Sequence, residues 1–136
     1  MKKVSIVLLN FNNEKDTNLC LSSLVGLDYD NFEVIVVENG SKEGVDRLKE
    51  HIGSLKGRLD INLVEKDRNY GFAEGNNIGV RSAEGEYVVL LNNDTLVKKD
   101  YLRAMVKKLE SSEKIAVVGS RINNIEEFYG NVETLG

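Results

Sequence analysis

The chain has 136 residues, of which 41% are hydrophobic and 29% are charged, the composition of one soluble globular domain. Its formal net charge of -4 argues against a protein that binds the nucleic-acid backbone, although a local basic pocket for one small anion is compatible with it. No apolar run approaches the ~20 residues that span a bilayer, and Val4 to Leu9 is shorter than the core of a signal peptide. We therefore expect a cytoplasmic protein, which peripheral attachment to the inner face of the membrane would not contradict.

The first strand, Val4 to Leu9, is predicted from an apolar run that ends in the polar loop Asn10 to Asn13. Asn13 is predicted to cap a helix with acidic side chains in its first turn, and Gly26 is predicted to close it. The buried face of this helix recurs at three- and four-residue spacing: Thr17, Cys20, Leu21 and Leu24. The lone cysteine on that face is predicted to be a core residue rather than a reactive thiol.

The second strand, Phe32 to Val37, is again apolar to its end and then breaks into the polar turn Glu38 to Ser41. Ser41 is predicted to cap the next helix, which runs from about Lys42 to Leu55. The third strand, Asp60 to Val64, alternates between polar and apolar residues, which predicts a position nearer the edge of the sheet.

A glycine-containing helix is predicted from Phe72 to Ala83, after the charged loop Glu65 to Gly71. Its predicted stripe toward the sheet is Phe72, Ala73, Asn76, Val80 and Ala83. Gly75 and Gly79 interrupt that stripe, and each costs about 1 kcal/mol relative to alanine in a helix. We therefore predict a close approach between this helix and the sheet, beside the functional site.

The fourth strand, Tyr87 to Leu91, is a continuous apolar run, typical of a strand buried on both faces of a parallel sheet. It stops abruptly at Asn92, Asn93 and Asp94. Asp100 is predicted to cap a helix whose apolar face is formed by Tyr101, Leu102, Met105, Val106 and Leu109. Ile115 to Val118 is predicted to be a short fifth strand.

Strands that alternate with helices predict an α/β protein, a three-layer sandwich with a mainly parallel central sheet and right-handed crossovers. The loops that begin at Asn10, Glu38, Lys66 and Asn92 then leave from the same edge of the sheet. Ligands of open α/β sheets bind beyond the carboxyl ends of the strands, so this edge is the predicted binding site. We call it the rim.

A nucleoside-diphosphate ligand would use the polar residues of the rim well. Glu38 and Asn39 could bind a base or ribose, Lys66 and Arg68 could reach phosphate oxygens, and Asp94 could bind a divalent metal. The structural alternatives are a helix or turn cap for Asp94, a turn residue for Glu38 and a surface salt bridge for Arg68.

Several other functions are disfavoured because the sequence motifs typical of them are absent. No G-x-G-x-x-G fingerprint follows the first strand, where N-F-N-N stands instead, and no Walker sequence is present. There is also no G-x-S-x-G elbow and no spacing typical of zinc ligands. Dinucleotide, P-loop and serine-hydrolase functions are therefore not supported.

Five segments, in order, resemble the nucleotide-sugar-binding half of family 2 glycosyltransferases of the GT-A fold. They are V-S-I-V-L-L-N-F-N-N at Val4, V-I-V-V-E-N-G-S at Val34, N-Y-G-F-A-E-G-N-N-I-G at Asn69, G-E-Y-V-V-L-L-N-N-D-T at Gly85, and the strand predicted around Val117. The resemblance implies transfer of a sugar from a nucleoside diphosphate, here a UDP- or dTDP-sugar, to a saccharide or other acceptor with inversion. It also implies assistance by Mg or Mn.

Carried over residue by residue, the resemblance assigns nine positions to the nucleotide and one to the metal. The nucleotide positions are Asn10, Asn12, Glu38, Asn39, Arg68, Gly71, Asn76, Asn77 and Asn93. Asp94 is the implied metal ligand, at the end of the site that is Asp-x-Asp in the family. Asn92 replaces the first acid of that site and Asn39 replaces a frequent Asp, so we expect weak metal binding without nucleotide. The N-N-D-T form is similar to that of rhamnosyltransferase-like members.

The catalytic residue is unknown, because the family's general base comes from a segment beyond the Asp-x-Asp half and no stretch here matches it. Glu126 and Glu127 are acids in the tail, but nothing assigns them that role. We predict a nucleotide-sugar-binding domain at 1–121, and at 122–136 the start of an acceptor-side segment or a tail. The isolated chain is expected to bind nucleotide without transferring sugar.

Two alternative functions, and association with a second copy of the chain, stay open at this point. A nucleotide-binding module without turnover is the competing class. A sugar-nucleotide nucleotidyltransferase would need a glycine- and arginine-rich first loop, which Asn10 to Asn13 does not provide. A homodimer is compatible with the sequence.

Overall fold

The computed structural model describes residues 1–124, in which four strands alternate with four helices. The elements are β1 (Val4–Asn10), α1 (Glu14–Leu24), β2 (Phe32–Glu38), α2 (Val45–Ser54), β3 (Ile61–Glu65), α3 (Phe72–Arg81), β4 (Tyr87–Leu91) and α4 (Tyr101–Leu109). All pairings are parallel, and the strand order is β3-β2-β1-β4. The predicted α/β class with a parallel sheet is confirmed, and β3 is an edge strand as predicted.

The two central strands align the carboxyl ends of the sheet. In β1, Leu8 lies opposite Val36 of β2 and Leu91 of β4. Two residues further along, Asn10 of β1 lies opposite Glu38 of β2. Because parallel strands in this register end together, the polar residues that follow them begin at one edge.

Helices cover the sheet on both faces, which gives three layers. Helices α1, α2 and α4 pack on one face, where the buried core includes Leu21, Leu48 and Leu102. Helix α3 packs on the other face, where Val7, Ile35 and Val37 are buried with Ile78 beside them. The predicted three-layer sandwich is confirmed.

The close approach predicted for the glycines of α3 is confirmed. A Cβ atom on Gly79 would lie 2.3 Å from Cγ1 of Val7, and one on Gly75 would lie 2.5 Å from Cδ1 of Leu9. The stripe predicted for this helix is wrong at Phe72, which is 68% exposed, and at Val80, which is 39% exposed, whereas Asn76 is buried and Ala83 packs against the core. Helix α3 meets β1 through its glycine face because residues without side chains let the two backbones come closer than any apolar stripe would.

We expect Gly79→Ala to lower the free energy of unfolding by about 2 kcal/mol, because the added methyl overpacks the contact with Val7 by more than the helix gains in propensity. Gly53→Ala in α2 is the matched control, because nothing lies within 4 Å of its Cβ position. That control should be neutral or stabilising by up to about 1 kcal/mol. Urea unfolding of both variants measures the difference, and equal stabilisation by both would contradict the packing.

Two predictions at the β4 side of the sheet are wrong. Strand β4 is not buried on both faces, since Val88 is 42% exposed and Leu90 is 57% exposed. Residues Ile115 to Val118 form no strand, and Val117 is 86% exposed. Within residues 1–124, β4 pairs only with β1, and a strand needs a neighbour to complete its ladder of hydrogen bonds. An apolar pattern alone therefore did not determine the pairing here.

The helix starts also differ from prediction. Ser41 does not cap α2, which begins three residues after Lys42 with Gly44 at the N-cap position. Gly44 has φ of 81° and packs against the Glu14 carboxylate, where a Cβ would lie 2.3 Å from Oε2. Asn13 and Asp100 occupy the predicted N-cap positions of α1 and α4, but neither side chain accepts a capping hydrogen bond.

The end of α1 and the last predicted segment complete the set of differences. Helix α1 ends at Leu24 with Val25 as its C-cap, before the predicted stop at Gly26. Glu126, Glu127 and most of the segment 122–136 lie outside the described residues. None of the helices in residues 1–124 has the length and apolar character that a membrane-spanning segment requires.

Candidate functional site

The loops that follow β1, β2 and β3 are joined by backbone hydrogen bonds at the rim. The amide of Asn39 donates to the carbonyl of Asn10 over 2.8 Å, and the amide of Lys66 donates to the carbonyl of Glu38 over 2.9 Å. The strand order places β3 and β4 at opposite ends, three interstrand spacings or about 14 Å apart. The convergence predicted from the order of the elements is confirmed.

The loop after β1 contains one buried and one exposed asparagine. Asn10 is buried; its Oδ1 accepts from the Thr17 hydroxyl at 2.7 Å and its Nδ2 donates to Ser41 Oγ at 3.4 Å. Asn12 is exposed, with a left-handed φ of 50°, which asparagine tolerates better than most residues. The backbone amide of Asn12 donates to Ser41 Oγ, and its side-chain Oδ1 accepts from the backbone amide of Lys42, both at 2.8 Å. Of the two, Asn12 is the one that a ligand at the rim can reach.

Glu38 is a buried turn residue in this structure. Its carboxylate accepts from the backbone amides of Gly40 at 3.2 Å and Ser41 at 3.0 Å. This geometry is that of the structural alternative considered for Glu38. A carboxylate has about four acceptor sites, so these two bonds leave it capacity for further donors.

Asn39 clamps the loop between β3 and α3. Its side chain is 1% exposed, and its Oδ1 accepts from the amide of Tyr70 at 3.1 Å. Its Nδ2 donates to Oδ1 of Asn69 at 3.0 Å and to the carbonyl of Gly71 at 3.3 Å. An amide is required here, because an aspartate could not donate the last two bonds.

Two cations and an aromatic ring form the exposed surface of the same loop. The guanidinium of Arg68 and the ammonium of Lys66 lie 4.7 Å and 5.3 Å from the centroid of the Tyr70 ring. The Tyr70 hydroxyl donates to Asp67 at 2.8 Å, and this hydrogen bond lowers the pKa of the Asp67 carboxyl. Gly40 lets this loop approach β2, since a Cβ there would lie 2.3 Å from the carbonyl carbon of Arg68. Arg68 is thus held against Tyr70, as a cation available to a ligand.

A small cavity of about 200 Å³ lies at the part of the rim formed by β1 and β4. Two of the rim loops, the ends of β1 and β4, and α3 line it with Leu9, Phe11, Asn13, Phe72, Asn76, Leu91, Asn92 and Asn93. Asn76 is buried, and its Nδ2 donates to the Phe72 carbonyl at 2.9 Å. Gly71, at the N-cap of α3, has φ of 82°, so glycine suits its backbone, while Asn77 is exposed.

The loop after β4 presents Asp94 to solvent. The turn is closed by Thr95 Oγ1, which donates to the Asn92 carbonyl at 2.6 Å, so its closure does not use the Asp94 carboxylate. Asn93 Nδ2 donates to Thr17 Oγ1 at 3.0 Å. Cys20 lies beneath this loop, and burial raises its pKa to about 11, which keeps the thiol protonated and confirms it as a core residue.

A larger cavity of about 580 Å³ opens on the other side of Asp94, between α4 and residues 118–123. Its walls are mainly aliphatic and aromatic, with Asp94, Asp100, Lys98, Lys108 and Arg121 at polar positions. Residues 1–124 contain no group of three or more His, Cys, Asp or Glu side chains placed to hold a metal.

Sequence reasoning missed the roles of Thr17 and Ser41. Thr17 was predicted only as part of the buried face of α1, and Ser41 only as a helix cap. The hydroxyl of each makes hydrogen bonds that connect rim loops. The one available signal was a hydroxyl residue within an otherwise apolar helical stripe, where a buried polar atom needs partners.

The parallel three-layer sheet, with polar loops along the carboxyl ends of its strands, defines a GT-A domain of the nucleotide-diphospho-sugar transferase type. The chain belongs to glycosyl transferase family 2, whose family profile matches residues 5–135.

Two similar proteins agree with this assignment. The poly-β-1,6-N-acetyl-D-glucosamine synthase of Staphylococcus epidermidis is 31% identical over 134 residues, which cover 97% of this chain and 32% of that protein. An uncharacterized glycosyltransferase of Haemophilus influenzae is 29% identical over 124 residues, 91% of this chain and 38% of that protein. The chain therefore spans about a third of the length of the curated relatives it matches.

Two solved structures share the fold. The mannosyltransferase PcManGT from Pyrobaculum calidifontis, in complex with GDP-Man and Mn²⁺, is 27% identical with a TM-score of 0.75, covering 81% of this chain and 33% of that one. S. aureus TarS in complex with UDP-GlcNAc is 25% identical with a TM-score of 0.69, covering 79% of this chain and 32% of that one.

Proposed function

We propose that the rim binds a UDP- or dTDP-sugar together with Mg²⁺ or Mn²⁺, for inverting transfer of the sugar to a saccharide or other acceptor. The observation that carries the proposal is an exposed carboxylate, Asp94, at one end of a rim whose other end presents Arg68 and Lys66. The complexes of PcManGT with GDP-Man and Mn²⁺ and of TarS with UDP-GlcNAc support a nucleotide sugar as the ligand class.

The residues after β4 fit a hard divalent cation. Asp94 supplies one exposed carboxylate, and the amides of Asn92 and Asn93 add neutral oxygens to the same loop. Mg²⁺ is commonly held by one or two carboxylates, substrate phosphates and water rather than by a full protein cage. When bound, the cation would offset the negative charge that grows on the diphosphate as the sugar leaves.

The orientation of the ligand follows from the strand order. If the diphosphate lies at Asp94, the base lies toward β2 and β3, about 14 Å along the rim. Arg68, Lys66 and Tyr70 would then flank the base or ribose, rather than the phosphates that were first predicted for the two cations. Asn12 would lie between these two ends, and the 580 Å³ cavity beside Asp94 would take the sugar.

The deciding measurement is calorimetry with UDP, dTDP, GDP and ADP, each with Mn²⁺ and each with EDTA. We expect UDP or dTDP to bind most tightly, and more tightly with the metal, because the cation screens the diphosphate from Asp94. Equal or absent binding of all four would overturn the assignment. Nucleotide release that depends on acceptor, measured in the intact protein, separates a transferase from a nucleotide-binding module.

A further inference from the structure

A chain of hydrogen bonds beneath the rim is centred on Thr17. This residue is completely buried on the side of α1 that faces the sheet. Its Oγ1 donates to Asn10 Oδ1 at 2.7 Å and accepts from Asn93 Nδ2 at 3.0 Å. Asn10 in turn donates to Ser41 Oγ at 3.4 Å, so one line of contacts connects the loops after β4, β1 and β2.

The direction of these bonds is fixed by the single hydrogen of the Thr17 hydroxyl. That hydrogen serves oxygen acceptors: Asn10 Oδ1 at 2.7 Å and, more distantly, the carbonyl of Asn13 at 3.2 Å. Threonine in a helix commonly makes the second kind of bond, to the carbonyl four residues earlier. With its hydrogen engaged, Thr17 can only accept from residue 93, which must therefore be a donor. An amide meets this requirement and a carboxylate does not.

The amide of Asn93 is consequently held by its nitrogen, which leaves its oxygen for the rim. Asn93 lines the 200 Å³ cavity and directly precedes Asp94. Within the proposed function, on which this inference rests, we propose that Thr17 is a positioning residue that presents Asn93 Oδ1 beside the Asp94 carboxylate as a neutral oxygen for the cation. Thr17 itself touches neither metal nor nucleotide. The site then offers the cation the Asp94 carboxylate and the Asn93 amide oxygen, but its net charge is that of a single acid.

The test uses Thr17→Val, which keeps the shape of the side chain and removes the hydroxyl, with Thr17→Ser as the control that restores it. UDP affinity is measured by calorimetry with Mn²⁺ and with EDTA, and the readout is the ratio of the two dissociation constants. Partners that orient metal ligands typically contribute 10- to 100-fold in metal affinity, so Thr17→Val should reduce the Mn²⁺-dependent gain by about tenfold. The affinity in EDTA should stay unchanged, and Thr17→Ser should keep the gain.

A purely structural role would give a different pattern. Thr17→Val would then lower the midpoint of urea unfolding but leave the Mn²⁺-dependent ratio as in the wild type. Asn93→Ala provides a second, independent variant, because it removes the amide while leaving the bond from Thr17 to Asn10 in place. It should reproduce the loss of the Mn²⁺-dependent gain even if Thr17→Val does not fold.

The outcomes separate this inference from the proposed function. A wild type that binds UDP no better with Mn²⁺ overturns the proposed function and this inference with it. A wild type that shows the gain, together with folded Thr17→Val or Asn93→Ala that retains it, overturns this inference alone. A side-chain amide NMR signal of Asn93 that shifts in Thr17→Val and not in Thr17→Ser supports the contact itself without any ligand.

Discussion

Replacing Asp94 with alanine is expected to weaken UDP binding in the presence of Mn²⁺ by about 100-fold, since a direct ligand should be worth at least as much as the 10- to 100-fold of its outer partners. Affinity in EDTA should change little. The fold should also survive, because Asp94 is exposed and the turn is closed by Thr95. Calorimetry with and without Mn²⁺ measures the first effect, and urea unfolding measures the second.

Asp100→Ala is the matched control for that experiment. Asp100 is also exposed and lines the same 580 Å³ cavity, and its side chain makes no capping bond to α4. The control should keep the Mn²⁺-dependent gain in affinity. If Asp94→Ala instead lowered the free energy of unfolding by several kcal/mol and kept that gain, Asp94 would be a structural cap.

Replacing Asn39 with aspartate is expected to lower the free energy of unfolding by about 3 kcal/mol. The carboxylate would face two oxygen acceptors, Oδ1 of Asn69 and the carbonyl of Gly71, where the wild-type amide donates. Loss of the clamp should also weaken UDP binding, because it positions the loop that holds Arg68. Urea unfolding and calorimetry test the two effects.

The same exchange at Asn62, which is exposed on β3, is the control and should be nearly neutral. The loss in free energy of unfolding caused by Asn39→Asp should become smaller at acidic pH. Burial among acceptors raises the pKa of the new carboxyl above its unfolded value, so its destabilisation is greatest at higher pH and shrinks as the group becomes protonated and can donate again. A stable Asn39→Asp protein with full UDP affinity would show that the clamp is dispensable.

Local pattern located the four strands and four helices of residues 1–124, but it also predicted a fifth strand at Ile115 to Val118 that does not form. Apolar runs located β1, β2 and β4, and alternation located β3 at the sheet edge. The cost of Gly75 and Gly79 in a helix correctly indicated a close approach to the sheet, because only a tertiary contact could compensate for it. The exposed polar residues Asn12, Arg68 and Asp94 lie at the rim as predicted, and their roles toward a ligand remain predictions.

The parts that sequence did not reveal depend on partners distant along the chain. The apolar run at Val88 and Leu90 matches a buried strand, but exposure depends on what covers it. The sequence predicts ligand contacts for three residues that are buried, namely Asn10, Glu38 and Asn39. In the structure the side chain of each makes hydrogen bonds within the protein. Such assignments need the geometry of hydrogen bonds, which periodicity does not contain.

The hydroxyl at the centre of the network also constrains how this domain can evolve. Two hydrogen bonds of fixed direction join Asn93 to Thr17 and Thr17 to Asn10, so a change at any one of the three leaves a polar atom of another without its partner. Single substitutions at these positions should be selected against, whereas matched exchanges at two of them can be nearly neutral. Lineages are then expected to change at these three positions in concert, so that the residue at position 93 of the loop after β4 is inherited together with a residue buried in the first helix.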